Sequence, residues 1–148
     1  MTLQDLQKEF DDYLDKHDEA LEFAEKEIDF DGKQLKDALK NQLKLQMRWE
    51  ILTKRINKIY DICEYTMDEA YASAVNSELR DNFKDVKISE AKEYAKADKT
   101  FKAARRLLID IREVRDEARG ALDVITSRKY LLNSMTNAMV ASVENTIL

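Results

Sequence analysis

The chain has 148 residues, no Pro and only two Gly, Gly32 and Gly120, with 25 Lys or Arg against 30 Asp or Glu and a formal net charge of −5. Strong helix formers dominate, and with almost no punctuating residues helices can run very long. This composition excludes a compact α/β domain and a disulfide scaffold, since Cys63 is the lone cysteine. No apolar run is long enough to span a membrane. The start, Met1 leading into an acidic amphipathic stretch, does not read as a signal peptide, which points to a reducing cytoplasm. His17 is the only histidine and lies in a run of carboxylates. No metal-ligand spacing, no Gly-rich phosphate loop and no nucleophile beside a base is visible. The expectation is a protein that is not an enzyme, with no catalytic residues, no metal and no cofactor.

The first helix is expected from Leu3 to about Glu27, with Thr2 as N-cap. Leu3, Leu6, Phe10, Tyr13, Leu14, Leu21, Phe23, Ala24 and Ile28 form a loose apolar stripe. Asp29-Phe30-Asp31-Gly32 reads as a turn, with Asp31 placed to cap the next helix. The second helix starts near Lys33 and continues past Ala70. Leu35, Ala38, Leu45, Trp49, Leu52, Ile56, Ile59, Cys63 and Ala70 step by threes and fours, interrupted by Gln42 and Thr66, which is a seam pattern. Cys63 on that stripe reads as a small core residue. Asn76 to Lys87 loses the rhythm and reads as a loop.

The third helix is expected to start at Ser89, an N-cap followed by Glu90. One heptad row runs through Tyr94, Phe101, Leu108, Arg115, Leu122, Lys129, Thr136 and Val143. The other runs through Ala97, Ala104, Ile111, Ala118, Ile125, Leu132, Met139 and Thr146. A second stripe, Leu107, Val114, Ala121, Leu131 and Ala138, lies beside it. Together they make an apolar face too wide for a two-helix seam, which argues for a bundle or an oligomer. The run from Leu131 to Leu148 would be a patch atypical of soluble monomers if left exposed. Leu108, Ile111, Leu122, Ile125, Leu132, Met139 and Val143 are the expected oligomerisation residues. Gly120, inside this pattern, is read as permitting close approach of another helix or as a kink. The fold expected is all-α, an elongated helical hairpin or bundle. It divides into residues 1–87, an N-terminal hairpin with a basic helix, and 88–148, a long C-terminal helix that oligomerises.

Charge is segregated. Residues 1 to 31 hold three Lys and twelve Asp or Glu, whereas residues 33 to 58 hold eight Lys or Arg and two acids, Asp37 and Glu50. At about 100° per residue the eight cations share one sector of the second helix, opposite the Trp49 seam. Besides Lys33 they are Lys36, Lys40, Lys44, Arg48, Lys54, Arg55 and Lys58. Met47, Ile51 and Ile62 fall in the same sector and Tyr65 just beyond it. Two readings stand. The stripe tracks a phosphate backbone, with Tyr60 and Tyr65 as candidates to stack on unpaired bases. Alternatively, the first helix folds antiparallel onto the second and its carboxylates pair with the lysines.

The order Ile88-Ser-Glu-Ala-Lys92, Ala97-Asp98-Lys99, Gly120-Ala-Leu-Asp123 and Ser127-Arg128 resembles the UvsY recombination mediators of T-even and related phages. The start, Leu3-Gln-Asp-Leu-Gln7, resembles their N-terminus, and Lys54-Arg55 and Lys58 match the family's basic helix. The resemblance covers roughly 60 residues well and the rest by architecture. Where the family has a paired-Tyr and Gly element after the basic segment, this chain continues as Ile59-Tyr60-Asp61-Ile62. The resemblance implies a non-enzymatic mediator in DNA recombination and repair, acting in the cytoplasm of the infected bacterial host. It implies binding to single-stranded DNA as a homo-oligomer, a hexamer or heptamer. It also implies work with a RecA-like recombinase and a single-strand-binding protein, helping to load the former onto strands coated by the latter. The alternative is a structural helical protein without DNA binding, either an assembly scaffold or an inhibitor presenting its acidic helix.

Overall fold

The computed structural model describes residues 1–28, 35–81 and 87–147. Every regular element among them is a helix: α1 (Leu3–Ile28), α2 (Leu35–Asp81), α3 (Ile88–Ala95) and α4 (Lys99–Ile147). The chain is all-α, as expected. The expected turn at residues 29–32 and Lys33 lie outside the described residues. Two boundaries differ from expectation. Residues 76–81, read as loop, continue α2. The single third helix is two helices, and Ser89 is the second residue of α3 rather than its cap, Lys87 standing at the N-cap position without a side-chain hydrogen bond.

The seams follow a strict seven-residue rule. Buried positions are Leu6, Phe10, Tyr13, His17, Ala20 and Ala24 on α1, and Ala38, Gln42, Leu45, Trp49, Leu52, Ile56, Ile59 and Cys63 on α2. On α4, Ala104, Ile111, Ala118, Ile125 and Leu132 repeat every seventh residue, all wholly buried. Spacing of alternating threes and fours keeps one face of each helix turned inward.

Contacts divide the chain into two compact units. The first comprises residues 1–12 and 55–115. Its α1 segment opens with a reciprocal cap: the Asp5 amide donates to Thr2 Oγ1 at 3.1 Å and the Thr2 amide to Asp5 Oδ2 at 3.1 Å. Those bonds hold the Asp5 carboxyl below its ordinary value. Its α2 and α4 segments run antiparallel, since Tyr60 meets Arg112, Cys63 meets Ala104 and Tyr71 meets Phe101. Between α3 and α4 the chain breaks at residues 96–98, and the Phe101 amide donates to Asp98 Oδ2 at 3.0 Å, capping α4. Burial of Cys63 pushes its thiol up to about 11.

The second unit comprises residues 13–54 and 116–148. Here α1 and α4 run parallel, with α2 opposed to both: His17 and Glu27 of α1 meet Trp49 and Asn41 of α2, and Glu117 and Arg128 of α4. Two buried polar layers interrupt the apolar seam. In one, the His17 ring lies 3.2 Å from Tyr13 Oη and 2.9 Å from Glu117 Oε1, edge-on to Trp49. In the other, Arg128, only 6% exposed, donates to Gln42 Oε1 at 3.2 Å and to the Glu27 carbonyl at 2.8 Å. Gln42 Nε2 in turn donates to the Ile125 carbonyl at 2.7 Å. Buried polar positions of this kind fix register, because any slip strands a donor or acceptor out of water.

Candidate nucleic-acid interface

The cationic stripe is a consequence of the α2 heptad. Once positions 38 to 63 are committed to the seam, residues midway between them face outward. Lys36, Lys40, Lys44, Arg48 and Lys54 are exposed on the segment of α2 in the second unit. Lys58 is exposed and Arg55 half-buried on the segment in the first unit. Successive members four residues apart rise about 6 Å along the axis.

Pairing with α1 absorbs little of this charge. Arg48 lies 3.8 Å from Glu19 across a pair that is largely exposed on both sides. Exposed pairs of this length contribute little. Lys36, Lys40, Lys44, Lys54 and Lys58 make no hydrogen bond or ion pair to any described residue. The carboxylates Asp11, Asp15, Asp18, Glu22 and Glu25 of α1 are themselves exposed.

The two aromatic candidates differ. Tyr60 is half-buried and its ring is already occupied: Arg115 Cζ sits 3.9 Å from the ring centroid and Arg112 Nη2 lies 3.5 Å from Oη. That face is therefore not open to a base. Tyr65 is exposed, with Glu69 holding its hydroxyl above the ordinary value by accepting its hydrogen bond. Trp49 is wholly buried, in the seam, where its indole N–H finds no hydrogen-bond acceptor among the described residues.

The expected assembly residues also separate. Leu108, Ile111, Ile125 and Leu132 are buried within the chain's own core, so they are not available to a second copy. Leu122 is half-buried, while Met139 and Val143 are exposed. The outward row of α4 is Tyr130, Leu131, Met135, Met139, Val140 and Val143. Met139, Val140 and Val143 line a shallow apolar groove of about 350 Å³ with Leu35, Thr136 and Glu144. Two groups escaped the sequence reading. His17 and Arg128 both sit at seam spacing and are buried, and that spacing is the signal that could have found them.

Among the described residues no helix is long and apolar enough to cross a membrane, and no group of three or more His, Cys, Asp or Glu is placed to hold a metal ion. The fold and surface together define an all-α protein with a solvent-facing cationic helix and an uncovered apolar helix end. Compared with family models, curated proteins and solved structures, the chain finds no match in any of the three.

Proposed function

We propose that the chain is a non-enzymatic recombination mediator that binds single-stranded DNA as a homo-oligomer and helps load a RecA-like recombinase onto it. The observation that carries this reading is the state of the stripe: Lys36, Lys40, Lys44, Lys54 and Lys58 face solvent with no ion pair to any described residue. Regularly spaced cations of that kind neutralise phosphates and release counterions without regard to sequence. The uncovered end of α4 supports assembly, and a ring would gather several stripes so that modest contacts add through effective concentration. The resemblance to the UvsY mediators supplies the recombinase and the single-strand-binding protein as partners. The second reading, a structural assembly protein without DNA binding, is favoured by the same α4 end together with the exposed acidic face of α1, which opposes approach of a polyanion.

Replacing Lys44, Lys54 and Lys58 together by Ala separates the two. Each phosphate contact contributes about −0.7 to the salt slope for single strands, so the triple variant flattens the slope by up to about 2 and weakens binding, with the native mass unchanged. Equal binding by wild type and variant at every salt concentration would refute the mediator reading.

A further inference from the structure

The exposed face of α2 between Lys36 and Lys54 is not purely cationic. Leu43, Met47 and Ile51 stand at successive fourth positions, 65%, 55% and 63% exposed. They form an apolar ridge about 12 Å long. Lys40, Lys44 and Arg48, all exposed, run along one flank, and Gln46, Glu50 and Lys54 along the other, Asp37 and Glu50 being the only acids of the stretch. A phosphate backbone needs the cations alone, and bases stack on aromatic rings. The one aromatic residue here, Trp49, is buried on the opposite side. Three large aliphatic side chains held in water therefore serve something other than a nucleic acid. An apolar row at helical spacing with a cationic row along one flank matches a partner helix with its own apolar row and carboxylates along one side of it.

Among the described residues no helix supplies both halves of that complement. α1 is acidic, but Leu6, Phe10 and Tyr13 are turned into its own core. The end of α4 is apolar, but from Tyr130 to Asn145 its only acidic side chain is Glu144. A second copy would bring charge or cover, not both. We infer that this face of α2 is a docking site for an acidic amphipathic helix of another protein. Because Lys40, Lys44 and Lys54 also belong to the proposed single-strand surface, the inference rests on that reading for one consequence only: the acidic helix and the strand exclude one another.

The test uses the full chain and three probes: a designed peptide with Leu along one helical stripe and Glu along one flank of it, a scramble of the same composition, and oligothymidylate. Leu43→Ser, Met47→Ser and Ile51→Ser are combined in one variant. All three side chains are exposed, and circular dichroism with native mass verifies that fold and assembly persist. The peptide is expected to bind wild type and to displace oligothymidylate. The ridge variant is expected to weaken the peptide by about tenfold or more while changing oligothymidylate affinity less than about twofold. The proposal is overturned if the scramble binds as well as the peptide, or if the ridge variant binds the peptide like wild type. Loss of native mass in the ridge variant would place a second copy on the ridge and overturn it too. So would ridge-dependent sedimentation with phosphatidylserine vesicles in the absence of peptide binding, which would assign the face to lipid. Peptide binding without oligothymidylate binding leaves the docking site standing and refutes the single-strand reading instead.

Discussion

Replacing Arg128 by Met removes two guanidinium hydrogen bonds that join three helices while keeping most of the side-chain volume. The two bonds, at 3.2 Å to Gln42 Oε1 and 2.8 Å to the Glu27 carbonyl, join α2 and the last turn of α1 to α4. Hydrogen bonds to a charged group contribute about 1.5–3 kcal/mol each, and acceptors left buried without a donor add to the loss. Met recovers part of the desolvation that the guanidinium suffers. That cost is visible in Arg128 itself, which burial pushes below its ordinary value against the opposing pull of Glu27. The expected net loss is about 2–4 kcal/mol, read from urea unfolding followed by far-UV circular dichroism. Arg128→Met combined with Gln42→Leu removes the donor and one of its buried acceptors together. The double variant is expected to lie closer to wild type than Arg128→Met alone, a coupling of at least about 1 kcal/mol. Arg128→Met within about 0.5 kcal/mol of wild type, or strict additivity in the cycle, would refute the assignment of this layer as a register lock.

Gly120 lies in the interior of α4, and a Cβ built there meets nothing within 4 Å. Gly120→Ala is therefore expected to stabilise the chain by about 1 kcal/mol in the same urea assay, and no close approach inside the chain requires the glycine. Cys63 is wholly buried with its thiol pushed up to about 11, so in the native state it is expected to resist a disulfide reagent at neutral pH and to label only as the chain unfolds. The same shift fixes a sign. The thiol is protonated in both states below the ordinary value of 9.0, so its contribution to stability is complete there. Stability falls as pH rises from 9.0 towards about 11, where the unfolded thiol ionises first.

Much of the fold was legible because heptads are legible. The α2 seam reads from Ala38 to Cys63, and the α4 row from Ala104 to Leu132, on spacing alone. The start of α1 reads from Thr2, whose hydroxyl needs an amide three residues on. The break at residues 96–98 was hidden, since Ala97-Asp98-Lys99 contains neither Gly nor Pro. Asp98 as a cap was its only signal. The end of α2 was misjudged for the opposite reason. Ala72, Ser73, Asn76 and Ser77 are exposed, so no apolar rhythm marks that stretch, yet the helix persists to Asp81. In the candidate interface, the outward direction of the lysines followed from the seam, but the occupation of Tyr60 did not. The stacking arginines come from α4, some fifty residues along the chain, and only tertiary structure brings them there. Arg128 and His17 have the spacing of buried seam residues, but a stripe traced through apolar residues alone passes over them.

Beyond Leu132 no described side chain of α4 is buried. Residues 133 to 146 include Asn133, Ser134, Thr136, Asn137, Val140, Ser142, Val143, Asn145 and Thr146, all indifferent helix formers. A helix is held mainly by what packs against it rather than by propensity. On an isolated chain this end is therefore expected to open more easily than the rest of α4, with amides exchanging far ahead of those between Ala104 and Leu132. Whatever covers Met139, Val140 and Val143 must also hold some fourteen residues in register, at about 1–2 kcal/mol of backbone entropy for each that was previously open. Binding at this end would thus be coupled to folding, and its apparent affinity would fall with every substitution that loosens the free helix, including those that touch no partner.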